Sequence, residues 1–444
     1  MKTPILDFIR SYAARGALRL HMPGHKGHGA LGVETFDITE IDGADSLYEA
    51  NGIIAESEGN ASRLFGSATY YSTEGSSQCI RAMLYLALKY AGKDGRGLIL
   101  AGRNAHKSFL SAAILLDFDI QWLTGKAGSY LSCAVDGETL SAAIENAPEK
   151  PVAVYLTSPD YLSNVLDIEA LSAVCKRHGV LLLVDNAHGA YLKFLPKSLH
   201  PIDLGADMCA DSAHKTLPVL TGGAYLHVSE KLSFSKDEVK NALALFGSTS
   251  PSYLTLASLD CANAVLETDF PESICAFLPK LAACKARLEA HGFRFHGSEP
   301  LKLTLHAKAY GYSGGALAAL LEKEGIVSEF ADPDFVTFML SPSIGETGLK
   351  SLERALFSLP KKPFDETMPP AFILPERVYT PREAAFLKKE RIETANSLGR
   401  VLASVTVACP PAVPIVVCGE RMDGNALRLF EYYGIAECEV VQEK

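Results

Sequence analysis

Short apolar runs and amphipathic stretches alternate through the middle of the chain. In the stretch that begins at Gly75, apolar residues recur at the spacing of one helix face: Ile80, Met83, Leu84 and Ala87. Further helical stretches span residues 108–116, 136–146 and 168–177. Between them lie apolar runs of strand length, at residues 97–101, 119–124, 151–157, 180–185, 208–210 and 224–228. Strands that alternate with helices need crossover connections, so the pattern predicts an α/β fold whose largely parallel sheet is covered on both faces.

The pattern differs on either side of this region. Thr3 followed by Pro4 predicts the start of a short helix that ends near Ala14. A helix around 273–291 leads into a small α/β pattern, with strands at 301–306, 326–330 and 335–340 and helices at 315–325 and 347–357. We therefore predict four regions: an N-terminal arm (1–68), a large domain (69–290), a small α/β domain (291–360), and a proline-containing linker with a C-terminal subdomain (361–444).

Composition narrows the class of protein. The chain has 444 residues, of which 48% are hydrophobic and 21% charged, as expected for a soluble globular protein of two or three domains. A formal net charge of −10 disfavours nucleic acid as a partner, and no basic helix-turn-helix pattern is seen. No apolar run approaches the roughly 20 residues that span a membrane, and the start is too polar for a secretory signal. The 10 cysteines include no C-x-x-C pair, which predicts reduced thiols and a cytoplasmic location.

One polar segment directly after an apolar run carries a candidate nucleophile. Ser212, His214 and Lys215 follow the strand predicted at 208–210. A lysine in such a segment is usually a solvated loop residue. Held between hydroxyl and imidazole groups, Lys215 is also suited to be a Schiff-base lysine that its surroundings make nucleophilic. The segment alone leaves both interpretations open.

Functional residues of such sheets gather at the carboxyl ends of the strands, which also nominates residues 103–107 and 185–188. Asp185 ends an aliphatic run, where a carboxylate can cap the next helix, bind a metal, or keep the ring nitrogen of a pyridine protonated. His106 follows another strand and is either a structural residue or one that stacks on a cofactor ring.

A loop before the first of these helices suits an anion. Gly75, Ser76 and Ser77 lie at a helix start, where backbone N–H groups and hydroxyls can bind phosphate, although serine is commonplace at such positions. Along the chain, this loop is followed by a histidine, an aspartate and a lysine at strand ends. These are the parts that a pyridoxal 5'-phosphate site of the aspartate-aminotransferase fold needs.

Three histidines near the N-terminus raise the alternative of a metal site. His21, His25 and His28 would share one face of a helix. Pro23 and Gly24 lie between them, however, and argue against a helix. We therefore predict no metal site and interpret this stretch as a structured arm.

Over nearly its whole length, the sequence resembles the Orn/Lys/Arg decarboxylases, bacterial pyridoxal-phosphate enzymes of fold type I. The most specific likeness is the stretch 212–218, which matches S-x-H-K-T-L-P. Residues 103–108 match R-N-x-H-K-S, 185–189 are similar to D-E-A-H-G, 247–253 resemble the family's T-S-P-x-Y stretch, and 21–26 look like H-x-P-G-H-K. The resemblance implies an aspartate-aminotransferase-like large domain with a mainly parallel seven-stranded sheet, and a small α/β C-terminal domain. It also implies a short form without the N-terminal wing domain of the large acid-inducible decarboxylases.

The resemblance also implies a role for each matched residue. Lys215 would hold the cofactor, Asp185 would pair with its ring nitrogen, and His106 would stack on the ring. These three and His214 are the predicted catalytic residues, with Lys215 or His214 as the acid that protonates Cα. Ser248 or Thr249 would reach the phosphate across a dimer interface. The predicted cofactor-binding residues comprise Gly75, Ser76, Ser77, His106, Asp185, Ala187, His188, Ser212, His214, Lys215, Ser248 and Thr249.

The sequence departs from the family motifs at several positions. Glu74 stands where the T-N-G-[ST]-S loop has Asn, so its carboxylate should turn away from a phosphate. Asn186 replaces Glu in D-E-A-H-G. Cys409, Ala412 and Cys418 depart from the C-terminal Y-P-P-G-I-P and P-G-E motifs and bear on the substrate more than on the cofactor.

The implied activity is decarboxylation of a basic L-amino acid, arginine, lysine or ornithine, to the amine and CO₂, feeding polyamine metabolism. The implied assembly is a homodimer or higher homo-oligomer with the site at the subunit interface. Candidates for binding the distal cation of the substrate are Asp42, Asp45, Glu49 and Glu420. Two alternatives stay open: another pyridoxal-phosphate reaction, such as that of an aminotransferase or a lyase, and a catalytically silent relative.

Overall fold

The computed structural model describes residues 1–94, 96–125, 129–405 and 413–443. Its helices, in chain order, are α1 (Pro4–Ala14), α2 (Ile53–Phe65), α3 (Ser76–Tyr90), α4 (Lys107–Leu116), α5 (Gly137–Glu145), α6 (Ile168–His178), α7 (Ala213–Thr216), α8 (Lys236–Ala244), α9 (Tyr253–Glu267), α10 (Asp269–His291), α11 (Gly314–Lys323), α12 (Gly345–Phe357), α13 (Pro381–Phe386) and α14 (Gly424–Tyr432). Its strands are β1 (Ala68–Ser72), β2 (Leu98–Gly102), β3 (Asp119–Leu123), β4 (Ala153–Thr157), β5 (Leu181–Asp185), β6 (Met208–Asp211), β7 (Ala224–Val228), β8 (Phe295–His296), β9 (Lys302–His306), β10 (Phe330–Ala331), β11 (Phe335–Met339), β12 (Lys389–Glu393) and β13 (Glu437–Val441).

Two compact units divide the chain, and each is built from two stretches that are separate in sequence. The first unit contains Met1–Asp94 and Ile168–Ile274. The second unit contains Gly95–Asp167 and Cys275–Lys444.

The first unit contributes four strands, in the order β1-β7-β6-β5. Strands β5 and β6 are parallel, with Asp185 opposite Ala210, whereas β7 runs antiparallel to both β6 and β1. Because β5 and β6 run the same way, their carboxyl ends, at Asp185 and Asp211, lie at the same edge of the sheet. The segments that follow these two strands are therefore neighbours.

Helices α1, α2 and α9 pack together in the first unit. Ile5 and Ile9 of α1 are fully buried. The α1 start is capped from a distance, because Oδ2 of Asp260 on α9 accepts the backbone N–H groups of Ile5 and Leu6 at 2.9 and 3.0 Å. A single buried carboxylate thus fixes the beginning of the chain to α9.

The second unit contributes three parallel strands, β4-β2-β3, and the seven strands are ordered β1-β7-β6-β5-β4-β2-β3. Helices α4 and α5 make the crossovers between its parallel strands. This unit also holds an antiparallel sheet, β10-β11-β9-β8, and the pair β12-β13. The α/β class and the mainly parallel seven-stranded sheet predicted from the sequence are confirmed.

Some elements differ from those the sequence predicts. Helix α1 and the strands at the predicted apolar runs are present, but the strand predicted at 326–330 is reduced to Phe330–Ala331. Helices α2, α8 and α9 and strand β1 were not predicted. In α2, the buried positions include Ser57, Glu58 and Asn60, so its inward face is partly polar and carries a weak hydrophobic pattern.

The N-terminal arm between α1 and α2 is held by polar side chains. Buried Arg19 donates to the carbonyl groups of Glu34, Thr35 and Asp37 at 3.3, 2.6 and 3.3 Å. The stretch that contains His21 and His25 forms bends and turns, which confirms that no helix crosses it. Within the described ranges, no helix combines the length and apolarity that crossing a membrane would require.

Candidate active site

Lys215 lies on α7, a single helical turn directly after β6. Its backbone N–H donates to the carbonyl of Ser212 at 3.0 Å. Its Nζ lies 3.0 Å from Nε2 of His188, a side chain that is 4% exposed. Lys215 therefore points toward the segment that follows β5, and this geometry favours a functional lysine over a solvated loop residue.

Asp185 is the last residue of β5 and is 2% exposed. Its Oδ1 accepts the backbone N–H of Ala187 at 3.2 Å. Asp185 thus begins the segment that carries His188, and it sits at the strand edge next to the segment that carries Lys215. A buried carboxylate and a lysine amine are brought to one edge of the first unit's strands.

The predicted anion loop meets the same region. Oγ of Ser212 donates to Oγ of Ser76 at 2.6 Å, and Ser76 is the first residue of α3. Gly75 precedes it with φ +72° and ψ 178°, a conformation that essentially only glycine adopts, and its N–H donates to the carbonyl of Gly222 at 2.8 Å. The first turn of α3 contains no acidic residue, and Glu74 is exposed, as its position near an anion site requires.

His214 is held from the strand that follows. Its Nδ1 lies 3.0 Å from the carbonyl oxygen of Gly223, and its backbone N–H donates to the same oxygen at 3.1 Å. A carbonyl oxygen only accepts, so Nδ1 carries a proton. His214 therefore has a fixed ring orientation.

Ser248 and Thr249 lie beyond the end of α8 and are exposed in the single chain. Oγ of Ser248 accepts the backbone N–H of Ser250 at 3.1 Å. The structure therefore does not bury these two residues beside Lys215, whereas it does bring Ser76, His188 and Ser212 into the region.

His106 belongs to the second unit and is the N-cap of α4. Its Nδ1 accepts the backbone N–H of Ser108 at 3.1 Å and lies 2.8 Å from Oγ of the same residue. These contacts fix the plane of the imidazole ring, a property that a stacking histidine needs.

A buried cluster behind the Ser212–Lys215 segment was not predicted. Asp211 is fully buried; its Oδ1 accepts Nδ2 of Asn186 at 2.7 Å, and its Oδ2 lies 3.0 Å from Nε2 of His200 and 3.2 Å from Nε2 of His227. Burial raises the pKa of Asp211, but the two imidazoles outweigh burial and bring the pKa well below its ordinary value. The carboxylate is therefore ionised, and both histidines donate to it. We call Asn186, His200, Cys209, Asp211 and His227 the Asp211 cluster.

The same cluster contains the one group in the described part of the chain whose side chains stand close enough to hold a metal: His200, Cys209 and Asp211, with ligand atoms within 4.8 Å of one another. These atoms already bond to one another, since Sγ of Cys209 donates to Oδ1 of Asp211 at 3.3 Å. Burial and the neighbouring carboxylate raise the pKa of the Cys209 thiol well above its ordinary value, so it is a protonated donor rather than a thiolate ligand. Hydrogen bonding explains the group, and the absence of a metal stays a prediction.

In the second unit, Glu420 is engaged by a buried arginine. Nη2 of Arg103 lies 3.0 Å from Oε2 of Glu420, and the guanidinium also donates to the carbonyls of Pro414 and Ile415. Burial raises the pKa of Glu420 and Arg103 opposes the rise. This carboxylate anchors a C-terminal loop, which makes it a poor candidate for binding a substrate cation. Cys409 and Ala412 lie outside the described residues.

Asp45, another candidate for the substrate cation, is also engaged. Its carboxylate accepts the backbone N–H groups of Ser46, Asn51, Gly52, Ile54 and Ala55, at 2.7 to 3.3 Å. It therefore stabilises the start of α2. Asp42 and Glu49, in contrast, are exposed.

The side chains brought together in the first unit fit pyridoxal phosphate. A buried carboxylate, Asp185, suits a protonated pyridine nitrogen, and the amine of Lys215 suits an aldehyde. The start of α3, with Ser76 and Ser212 bonded to each other, suits the phosphate, because a helix N-terminus and hydroxyl donors bind anions. The fit rests on groups from three separate segments of the chain.

Comparison with known proteins agrees with this chemistry. Residues 3–277 match the model of the Orn/Lys/Arg decarboxylase family, major domain. The chain is 30% identical to the uncharacterized protein YaaO of Bacillus subtilis, over 96% of this chain and 93% of that protein. It is 28% identical to the arginine decarboxylase of Bacillus subtilis, over 94% of this chain and 91% of that protein.

Among solved structures, the lysine decarboxylase LdcF of Francisella novicida has a TM-score of 0.79 to this chain at 17% identity, over 99% of this chain and 81% of that one. At this identity the likeness concerns the fold. The family match covers more than half of the chain and agrees with the site built from its own residues. The chain therefore belongs to the Orn/Lys/Arg decarboxylase family and is a pyridoxal-phosphate-dependent amino-acid decarboxylase.

Proposed function

We propose that the protein removes the α-carboxyl group of a basic L-amino acid, arginine, lysine or ornithine, and releases CO₂ and the corresponding amine. The observation that carries the proposal is the 3.0 Å approach of Lys215 Nζ to His188 Nε2, beside buried Asp185. Family membership supports the type of reaction, and the choice among the three substrates is the finer part of the proposal.

Three groups would hold pyridoxal phosphate. Lys215 would bind it covalently, Asp185 would keep its ring nitrogen protonated, and the start of α3 with Ser76 and Ser212 would bind its phosphate. When bound, the cofactor supplies an electron-accepting ring that stabilises the electron pair left at Cα by departing CO₂. His106 is proposed to stack on the ring, and Ala187 to lie beside it.

The chain's own residues would then transfer protons at two atoms, Nζ of Lys215 and Cα of the substrate. His188 Nε2 stands within hydrogen-bond distance of Lys215 Nζ, so it can take a proton from the lysine ammonium and leave the amine nucleophilic. Lys215 or His214 is proposed to deliver a proton to Cα. Nδ1 of His214 donates to Gly223, so Nε2 is the nitrogen of this ring that would first take up a proton and then pass it to Cα.

Arginine is the first substrate to test. The Bacillus subtilis arginine decarboxylase matches this chain over more than nine-tenths of both lengths, which supports arginine without excluding lysine or ornithine. Two carboxylates of the N-terminal arm, Asp42 and Glu49, are exposed and stay candidates for binding the substrate's distal cation. The amine product would feed polyamine metabolism.

We propose a homodimer or higher homo-oligomer whose subunits complete each other's sites. Ser248 and Thr249 are exposed in the single chain, as residues that serve a neighbouring subunit would be. Large apolar side chains of the N-terminal arm are also exposed, with Leu18, Leu20 and Leu31 at 84%, 83% and 82%. A second copy that covers them would remove this apolar area from water. Sedimentation velocity that gives a monomer mass at micromolar concentration would contradict this assembly.

A cytoplasmic location is proposed on the state of the cysteines. Nine described cysteines are free thiols, and several, including Cys79 and Cys209, are buried. Free buried thiols suit a reducing compartment. Fractionation of cells that make the protein tests this proposal.

The activity is tested by incubating the purified protein and pyridoxal phosphate with each of the three amino acids. Release of CO₂ and of agmatine, cadaverine or putrescine is the expected result for arginine, lysine or ornithine respectively. Lys215→Ala should abolish product formation and the visible absorption of the bound cofactor, whereas the exposed-lysine control Lys197→Ala should change neither. Release of a keto acid in place of CO₂ would support an aminotransferase, and a protein that stays colourless with added cofactor would support a silent relative.

A further inference from the structure

We infer that Asn186 and Asp211 form a matched pair that ties the two cofactor-binding segments together, with Asp211 carrying the negative charge that the family motif carries at position 186. Asn186 is the second residue of Asp-Asn-Ala-His-Gly, where the motif has glutamate. Asp211 directly precedes Ser212. Both are positioning residues. The effect on the cofactor rests on the proposed function, whereas the coupling between the two side chains does not.

Two hydrogen bonds join the segment after β5 to the end of β6. Nδ2 of Asn186 donates to Oδ1 of Asp211 at 2.7 Å, and the backbone N–H of Asn186 donates to the carbonyl of Ala210 at 3.0 Å. Both side chains are fully buried. The segment that carries Asp185 and His188 is therefore fastened to the residue from which the Ser212–Lys215 segment departs.

The Asp211 carboxylate, which carries the charge of the pair, is fully buried. Its Oδ2 accepts from His200 and His227, and its Oδ1 accepts from the neutral amide of Asn186. Burial lowers the pKa of His227, and Asp211 opposes this shift. The titratable groups around Asp211 come from α3, β5, β6, β7 and the segment before β6: Cys79, Asp185, His200, Cys209, Tyr225 and His227.

Asp211 explains why the motif's glutamate is missing. A carboxylate at position 186 would lie against Oδ1 of Asp211, where Asn186 Nδ2 now stands at 2.7 Å. Two buried carboxylates at that distance repel each other, so the second of them ionises only at a raised pH. An amide donor at 186 is therefore required by the aspartate at 211, and the two positions must change together.

A reciprocal exchange tests the pair with almost no change of shape. Asn186→Asp puts two carboxylates in contact. Asp211→Asn puts two amides in contact. The double variant N186D/D211N restores one amide and one carboxylate, with the amide now donating from position 211 and its carbonyl still accepting from His200 and His227. The contact from Cys209 Sγ is lost, the two imidazoles donate to a neutral carbonyl in place of a carboxylate, and the second oxygen at position 186 stays without a partner, as Oδ1 of Asn186 is now.

The first measurement is pyridoxal-phosphate affinity, followed by the visible absorption of the bound cofactor. N186D is expected to weaken affinity at least tenfold at pH 8, and the loss should shrink as pH falls to 6, because one of the two carboxylates then takes up a proton. The double variant is expected to return to within about threefold of the unchanged protein. The pH midpoint of the visible absorption band should shift in N186D and return in the double variant, which a merely structural defect would not produce. Asn396→Asp, at an exposed asparagine, is the control.

The second measurement is urea unfolding of the same four proteins without cofactor. Coupling, with the double variant more stable than the sum of the single changes predicts, supports the pair; additive losses overturn it. If N186D fails to fold, a folded double variant still counts as rescue, and a double variant that also fails overturns the inference. If no variant binds pyridoxal phosphate, the proposed function fails, while the cofactor-free cycle still decides whether the pair exists.

Discussion

Nζ of Lys215 lies 3.0 Å from Nε2 of His188, although the two residues are 27 positions apart and follow different strands. The contact exists because β5 and β6 are parallel neighbours, so the segments that leave their carboxyl ends meet. It gives the lysine a base within hydrogen-bond distance.

Replacing His188 tests that relationship. His188→Gln keeps a polar side chain but removes the titrating nitrogen, and we expect kcat to fall by about 10²-fold or more, the range of a lost acid–base partner. The measurement is steady-state CO₂ release across pH 6 to 9, where the variant should lose one limb of the pH profile. His291→Gln, at an exposed histidine of the second unit, is the control. Unchanged kcat in His188→Gln would show that the contact has no part in turnover.

Gly75 and Gly59 give a matched test of the anion loop. A Cβ added at either glycine meets no atom within 4 Å, but only Gly75 has a positive φ, +72°. We expect Gly75→Ala to cost about 1–3 kcal/mol of local strain and to weaken pyridoxal-phosphate binding. Gly59→Ala, inside α2, should stabilise the protein by about 0.5–1 kcal/mol and leave cofactor binding unchanged. Equal cofactor affinity in the two variants, measured by titration, would contradict the role of the Gly75 backbone.

Lys240 and Glu58 form a buried ion pair whose loss should lower the free energy of unfolding. Their side chains are 1% and 6% exposed, and burial pushes the pKa of each toward its neutral form while the partner opposes that shift. Lys240→Met should cost about 3–5 kcal/mol of unfolding free energy, because it leaves a buried carboxylate unpaired.

Two further variants complete this test. The double variant Lys240→Met with Glu58→Gln should recover part of the loss, since no buried charge is left. Lys280→Ala removes an ion pair in which both side chains are 53% exposed, and it should change the unfolding free energy by less than about 1 kcal/mol. Chemical denaturation of the three proteins checks the order, and equal losses in the two single variants would refute it.

The raised pKa of Asp260 should make the free energy of unfolding fall as pH rises. Burial raises its pKa to about 6, although Ser57, Leu6 and Ile5 donate to it and oppose the rise. Between the ordinary carboxyl pKa of about 3.9 and a folded value of about 6, the folded protein binds more protons than the unfolded chain. This contribution to stability is therefore complete at low pH and is lost as pH rises through about 6.

The measurement is the unfolding free energy of the unchanged protein minus that of Asp260→Asn. This difference should fall by about 2–3 kcal/mol between pH 4 and pH 7 and then level off. A difference that does not vary with pH would mean that the pKa of Asp260 is not raised.

The sequence predicted most strands of the central sheet because they are short apolar runs between polar segments. It failed where the buried face of an element is polar. Helix α2 buries Ser57 and Glu58, which bond to Asp260 and Lys240 instead of packing as apolar residues do, so a search for hydrophobic spacing overlooks it.

Some residues of the candidate site were predicted from the sequence and others were not. Lys215, Asp185 and the loop at Gly75 were predicted because each follows a strand or begins a helix. The Asp211 cluster was not, because His200 and His227 lie far apart in sequence and a single histidine gives no signal of its partner. The departure at Asn186 was visible in the sequence, but its reason is a hydrogen bond across two strands.

The division of the chain into interleaved units has a consequence for its synthesis. The first unit needs Met1–Asp94 and Ile168–Ile274, so the emerging polypeptide cannot complete it until residues 95–167 have also left the ribosome. β1 ends at Ser72 and its partner β7 begins at Ala224, so at about 5–20 residues per second β1 waits roughly 8–30 seconds for that strand. During that interval β1 and the apolar faces of α1 and α3 are unpaired, and chaperones that shield nascent apolar segments should raise the yield of active protein.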